Sequence, residues 1–298
     1  MYKVEVEYSP AYEFITSLYF YINKNRQKIY ELGADWKRNV DEKLSPTFKK
    51  ALKDKRMEVL HRINLLVHKC PHNTPELFIQ WFESLSTTEI YDYMKPWVKS
   101  IPRDMFDLHE HLVYLFKEWD EHYFKYVDPS LLKSLELDAI EKKELAKKMH
   151  AVELVEMCTN GIRIESNRVK KILLVPQYHY SPTSIVDYYQ EFITCLYPIE
   201  LHYNSPFISK KVIHYFSSLS DQNRLLILQS LYVKERSFKE LLGITSLSKS
   251  NLHYHLAMLR TSGIIRAHHS SERVEYYSLR LQTVLNMHEK ILSYIRND

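Results

Sequence analysis

The sequence predicts a mainly α-helical chain with small β elements, in which a long N-terminal helical domain precedes a smaller, more basic C-terminal domain. Three observations carry this. Only 4 Gly and 11 Pro occur among 298 residues, too few for a long flexible linker or a loop-rich sandwich. The 45% share of hydrophobic residues can fill the cores of one to three domains. The charge divides unevenly: from Phe207 onward there are 13 Lys plus Arg against 7 Asp plus Glu, whereas the preceding stretch holds 28 against 30. The polar stretch Tyr203-Asn204-Ser205-Pro206, with a proline that disfavours helix in the residue before it, separates residues 1–203 from residues 207–298.

Composition also excludes classes. Cys70, Cys158 and Cys195 are odd in number and far apart, which argues against a disulfide framework and for a reducing compartment. The opening MYKVEVEYSP places Glu5 and Glu7 where a signal peptide needs an apolar run, and no stretch is apolar enough to span a bilayer. A cytoplasmic chain without a membrane partner is expected.

Along the N-terminal domain, Val4 and Val6 alternate with Lys3, Glu5 and Glu7, as in a half-buried strand over residues 2–8. Helices are expected over 10–31, 46–68, 74–84, 87–95, 104–126 and 128–159. Ser45-Pro46 and Asp128-Pro129 each join a capping side chain to a proline at the first helical position, and Asn160-Gly161 is a helix stop. Two short apolar runs around Ser166-Asn167 then predict a hairpin at 162–175.

Chemistry in this domain is sparse. Aromatic clusters such as Tyr19-Phe20-Tyr21 and Trp119, Tyr123, Phe124 and Tyr126 could line a pocket, but core packing is the better reading. His68, Cys70 and His72 fall within five residues, yet their spacing matches no common closed zinc pattern and no fourth ligand is near. Asp107, His109, Glu110 and His111 raise the same question; His109 and His111 point to different helix faces, and surface histidines explain them more simply. There is no glycine-rich phosphate loop, nucleophile elbow or HExxH helix. No catalytic set, metal site or cofactor is expected, and an enzyme in this domain is the weakest reading. A regulatory, effector-binding role is the open alternative.

The C-terminal pattern is sharper. Val212, Tyr215, Phe216 and Leu219 define a first helix over about 208–219. A second opens at Ser220-Asp221 and runs through Leu225, Leu226, Leu228, Leu231 and Tyr232. A short third, Ser237 to Leu242, ends at Gly243, and the turn to Leu247-Ser248 leads into a fourth, a helix-turn-helix spacing. In that fourth helix, at 248–260, Leu252, Leu256 and Leu259 form a core stripe beside His255, while Lys249, Ser250, His253 and Tyr254 project the other way.

Such a face suits base edges and phosphates: hydroxyl, amide and imidazole groups hydrogen-bond, Lys249 attracts phosphate, and a tyrosine ring can meet a thymine methyl. Residues 264–279 read as two strands with Arg266, His268 and Arg273 near a polar tip, a basic wing beside the recognition helix. The candidate DNA-binding residues are therefore Ser248, Lys249, Ser250, Asn251, His253, Tyr254, Arg260, Arg266, His268 and Arg273. The partner they imply is double-stranded DNA. A final helical stripe at 281–296, including Leu285, Ile291, Leu292 and Ile295, is too broad for one small domain and predicts a partner helix.

These residues resemble the ArsR-type winged helix-turn-helix regulators. The likeness runs through SLSDQNRLLILQSL at 218–231 and SLSKSNLHYHLAMLRTSGII at 246–265. MYKVEVEYSPAYEF and KKILLVPQYHYSP are similar to the extension found in a subgroup of long bacterial members. The resemblance implies a homodimeric bacterial transcription factor, usually a repressor of a palindromic operator released by an effector. Its first and last C-terminal helices would form the interface, through Val212, Phe216, Leu285 and Leu292, and His255 would be structural. Metal-sensing relatives carry cysteines in the third helix or acidic and histidine ligands along the last. SFKELLGIT has no cysteine and the last helix offers only His288-Glu289, so an effector would act through the N-terminal domain. The competing reading is a protein-interaction module that uses the same fold.

Overall fold

The structure is a computed structural model, and it describes residues 2–23, 32–98, 104–201, 210–270 and 272–296. The polar boundary at 203–206, the end of the helix expected at 10–31, the start of the helix expected at 208 and Ser271 at the wing tip lie outside the described residues, as does the side chain of His288.

In chain order, the elements begin with strand β1 (Lys3–Val6) and helices α1 (Pro10–Ile22), α2 (Gly33–Asp41) and α3 (Pro46–Ala51). A 3-10 segment, Lys55–Ile63, leads into α4 (Asn64–Val67), α5 (Pro75–Ser84), α6 (Thr87–Met94) and α7 (Met105–His122). Then come α8 (Pro129–Ala146), α9 (Ala151–Cys158), β2 (Ile162–Ile164), β3 (Lys171–Gln177), β4 (Ile185–Tyr188) and β5 (Phe192–Pro198). The C-terminal elements are α10 (Lys210–Leu219), α11 (Gln222–Val233), α12 (Phe238–Thr245), α13 (Lys249–Thr261), β6 (Ile265–His269), β7 (Val274–Leu279), α14 (Leu281–Leu285) and α15 (Met287–Arg296).

Several starts follow from capping. Ser9, Ser45 and Thr74 each accept a backbone N–H at the head of a helix that opens on proline, and Ser86 with Glu89 completes a capping box. The helix expected over 46–68 is interrupted because the Asp54 side chain accepts the N–H of Arg56 at 2.9 Å, restarting the chain as the 3-10 segment. The helix expected over 128–159 is also two: His150 sits in an extended conformation between α8 and α9.

The chain forms two compact units, one of residues 5–144 and 168–199 and the other of residues 1–4, 145–167 and 200–298. The sequence division at 203/207 thus leaves α9 and β2 outside the unit to which they pack. Helices of the first unit pack with β3, β4 and β5, which together with β1 form a four-stranded sheet of order β1-β3-β5-β4, with β3 parallel to β5 and β4 antiparallel to it. This corrects the hairpin expected at 162–175. Lys171–Gln177 pairs with β5, whereas β2 belongs to the other unit's three-stranded sheet, β2-β6-β7, where it runs parallel to β6.

The first unit's core is aromatic: Phe14, Phe78, Phe116 and Trp119 are fully buried. Phe14 and Phe116 meet edge to face at 5.6 Å, and the Trp119 indole donates to Ser17 at 2.9 Å. His109 is no surface histidine; it is buried in this core, with Nε2 2.7 Å from the carbonyl oxygen of Phe82. His68 sits 2.7 Å from Glu7 and stacks on Phe192. No group of three or more potential metal ligands gathers among the described residues, and no described helix is long and apolar enough to cross a membrane.

Candidate nucleic-acid interface

The second unit builds its site from helix ends. Asp221 caps α11, its carboxylate accepting the N–H of Arg224 at 3.0 Å. Burial alone would raise this carboxyl, but the N–H and guanidinium of Arg224 hold it below its ordinary value. Arg224 in turn donates to the carbonyl oxygens of Ser218 and Ser217 at 2.7 and 2.9 Å. One residue pair therefore satisfies the start of α11 and the end of α10. His255 lies against both, 3.6 Å from Asp221 and 3.5 Å from Arg224, and is buried. Burial pushes its imidazole down from the usual histidine value, as suits a structural role.

The turn that sets α13 is equally local. Ser237 and Glu240 form a capping box on α12. The helix continues through Gly243, the expected stop, to Ser246, which takes a left-handed conformation with φ of 54°. Ser248 then caps α13, its hydroxyl accepting from the Asn251 N–H at 3.3 Å. Leu252, Leu256 and Leu259 point into a core shared with Ile227, Leu231 and Leu241. On α11 it is Arg224, Ile227 and Leu231 that face inward, while Leu225 and Tyr232 are exposed.

On the opposite face of α13, Lys249, Ser250, Asn251, His253 and Tyr254 are exposed. His253 is stacked on Phe238, ring centroids 4.3 Å apart, and so held in one orientation; the exposed Lys239 follows Phe238 on α12. Phe238 and Lys239 were not among the candidates. An aromatic and a lysine immediately after a capping serine were the only signal for them.

The wing is differently charged from expectation. β6 and β7 pair antiparallel, and Arg236 bridges to Tyr277 through backbone hydrogen bonds of 3.1 and 2.7 Å. Arg266 is turned to Glu156, 2.8 Å away, and to the carbonyl oxygen of Leu279. His268 is buried, 2.7 Å from the Ser278 hydroxyl and stacked on Tyr276. Arg260 donates to the carbonyl oxygen of Thr159 at 3.1 Å. The exposed charges around the tip are Glu272, Arg273 and Glu275. Of the wing cations read from the sequence, Arg273 alone is presented to solvent among the described residues, because α9 and β7 supply the acceptors that occupy Arg266 and His268 is buried.

Glu156 is the centre of that arrangement. It is buried and accepts from Arg163, Arg266 and Arg280 at 3.1, 2.8 and 3.0 Å. Burial opposes its charge, yet Arg266 and Arg280 hold the carboxyl below its ordinary value. A second carboxylate, Glu165, takes Arg163 at 2.6 Å and the Tyr276 hydroxyl at 3.0 Å.

Against known proteins, residues 221–267 match the family described as bacterial regulatory protein, arsR family. The match runs from the Asp221 cap through α11, α12 and α13 into β6, the elements that build this face. It supports a DNA-binding transcriptional regulator. No curated protein matches the chain.

Proposed function

We propose, from the premise that the chain carries an ArsR-family winged helix-turn-helix, that it is a homodimeric bacterial repressor acting on DNA in the cytoplasm. The observation that carries this is α13, whose exposed Lys249, Ser250, Asn251, His253 and Tyr254 stand on a fully buried leucine stripe within the family match. In this reading two such helices enter successive major grooves about 34 Å apart on an imperfect palindrome. Arg273 reaches the flanking backbone, and Lys239 adds a phosphate contact near the helix-turn-helix. Arg260, Arg266 and His268 act by holding the wing and α13 in place. An effector, where one is used, binds the first unit.

The dimer would form on apolar surface left open by α10, α14 and α15. Leu285 and Leu292 are exposed at 51% and 40%. Val212 is half-buried and Phe216 packs against its own core, so Ile213, 54% exposed, is the stronger contributor from α10. Replacing Leu285 and Leu292 together by Glu should yield a monomer in sedimentation velocity and weaken operator binding at least about tenfold. A double variant that stays dimeric would move the interface elsewhere.

The function is tested by fluorescence anisotropy on the DNA upstream of the chain's own gene, beside a scrambled duplex, across a salt series. Preferential, salt-sensitive binding is expected. Lys249→Ala should weaken binding to both duplexes and lower the salt slope by about one. His253→Ala or Tyr254→Ala should cost about 1–3 kcal/mol on the operator and little on scrambled DNA. Equal losses on both duplexes for all three would remove these roles. The exposed apolar face of α11, with Tyr232 and Val233 at 71% and 73%, favours a second reading as a protein-docking module; affinity indifferent to salt would support it.

A further inference from the structure

Between the 3-10 segment, α4, α5, α6 and α7 of the first unit lies a cavity of about 320 Å³. Its walls are apolar, and Met57, Leu60, Ile90 and Leu112 are almost fully buried around it. Met57, Met94 and Met105 contribute side chains that adjust to irregular shapes. The volume falls at the lower end of small-molecule sites.

Charge decides what it would hold. Among the described residues, the lining contains two cations, Arg56 and Arg62, and no carboxylate. Arg56 is already engaged: it donates to Asp54 at 2.9 and 2.7 Å and to Asp104 at 2.6 Å. Arg62 is exposed and has no ion pair among the described residues. Among the described residues the site thus joins an apolar body to the guanidinium of Arg62 at its rim, an arrangement that recognises a carboxylate through paired N–H donors.

We propose that this cavity is a binding site for a small apolar carboxylate, its chain among Met57, Leu60, Met94 and Leu112 and its head group on Arg62. At roughly 30 Å³ for each water-sized group, the space takes about ten non-hydrogen atoms, the size of octanoate. The site does not depend on DNA binding. Failure of octanoate to bind, with operator binding intact, removes this site alone; failure of operator binding alone removes only the regulatory reading.

The test is calorimetric titration of the full chain with octanoate, octan-1-ol and octylamine. Octanoate should bind saturably at one site, octan-1-ol about tenfold more weakly, and octylamine more weakly still. Arg62→Gln, an exposed position at which folding is not at risk, should bring octanoate down to the affinity of octan-1-ol without changing the latter. Met94→Trp, which fills the cavity, should abolish binding of both, with the native circular dichroism spectrum checked first. Absence of saturable binding, equal affinity of acid and alcohol for the unmodified chain, or octanoate binding unchanged in either folded variant would overturn the proposal.

Discussion

Gly161→Ala is expected to destabilise the C-terminal unit by about 4 kcal/mol, at the upper end of single-substitution effects. Gly161 ends α9 with φ of 112°, a conformation that side chains avoid, and a Cβ there would stand 2.4 Å from the carbonyl oxygen of Ile265. Neither atom can yield, because the backbone on both sides is committed. The Gly161 carbonyl accepts the N–H of Ala267 at 2.8 Å, and its own N–H donates to the backbone carbonyl oxygen of Glu156 at 2.9 Å. The junction is what lays β2 along β6, so its loss should loosen the wing as well. Gly243→Ala is the control. Gly243 lies within α12 with nothing within 4 Å of an added Cβ, and alanine there should stabilise by about 0.5–1 kcal/mol. Urea denaturation of the full chain followed by circular dichroism distinguishes the two; similar midpoints for both variants would refute the account of Gly161.

Glu156→Gln should cost about 3 kcal/mol at neutral pH, since it leaves three guanidiniums around a buried neutral group. The figure allows for the arginines being only partly buried, with side chains 32%, 31% and 21% exposed. Its pH dependence identifies the cause. The folded carboxyl is held below its unfolded value, so the stabilisation is fully present above about pH 4.3 and disappears as pH falls through the depressed folded value. The arginines stay charged throughout and add no titration of their own. Denaturation midpoints of the unmodified chain and of Glu156→Gln should therefore converge in acid. A gap independent of pH would show that shape, not charge, is what Glu156 supplies.

The two substitutions differ in how far sequence could anticipate them. Asn160-Gly161 reads as a helix stop from its residue types, but the close approach of Ile265 does not, because it joins residues about a hundred positions apart. Glu156 sits in a helical run like any other acidic residue. Its three partners come from β2, β6 and the start of α14, so its role exists only once those elements meet. The same folding redirects Arg266 and His268 from a basic wing to internal contacts.

Strands β3 and β5 illustrate a second limit. KILLVPQ and FITCLYP are buried nearly throughout, as parallel neighbours covered on both faces are, and they lack the alternation by which an exposed strand is read. Helix α2 also escaped notice, lying in a polar stretch in which Trp36 and Val40, one turn apart, are the main apolar residues. Glu13 of α1 is another case. It is fully buried and accepts the N–H groups of Tyr178 and His179 and the His179 ring, a long-range cap that has no local pattern.

By itself the sequence determined the helical class, the helix-turn-helix with its Asp221 cap, the buried stripe Leu252, Leu256 and Leu259, and the exposed face of α13. Each follows from interactions within one or two turns of the chain, where residue type and spacing are the whole cause. Only the tertiary structure decided the parallel pairing of β2 with β6, the arginine cluster on Glu156, the inward course of Arg266 and His268, and the cavity beside Arg62. Those depend on which distant segments are brought together, and the free energy that selects them is burial and ion pairing summed over contacts that no local pattern encodes.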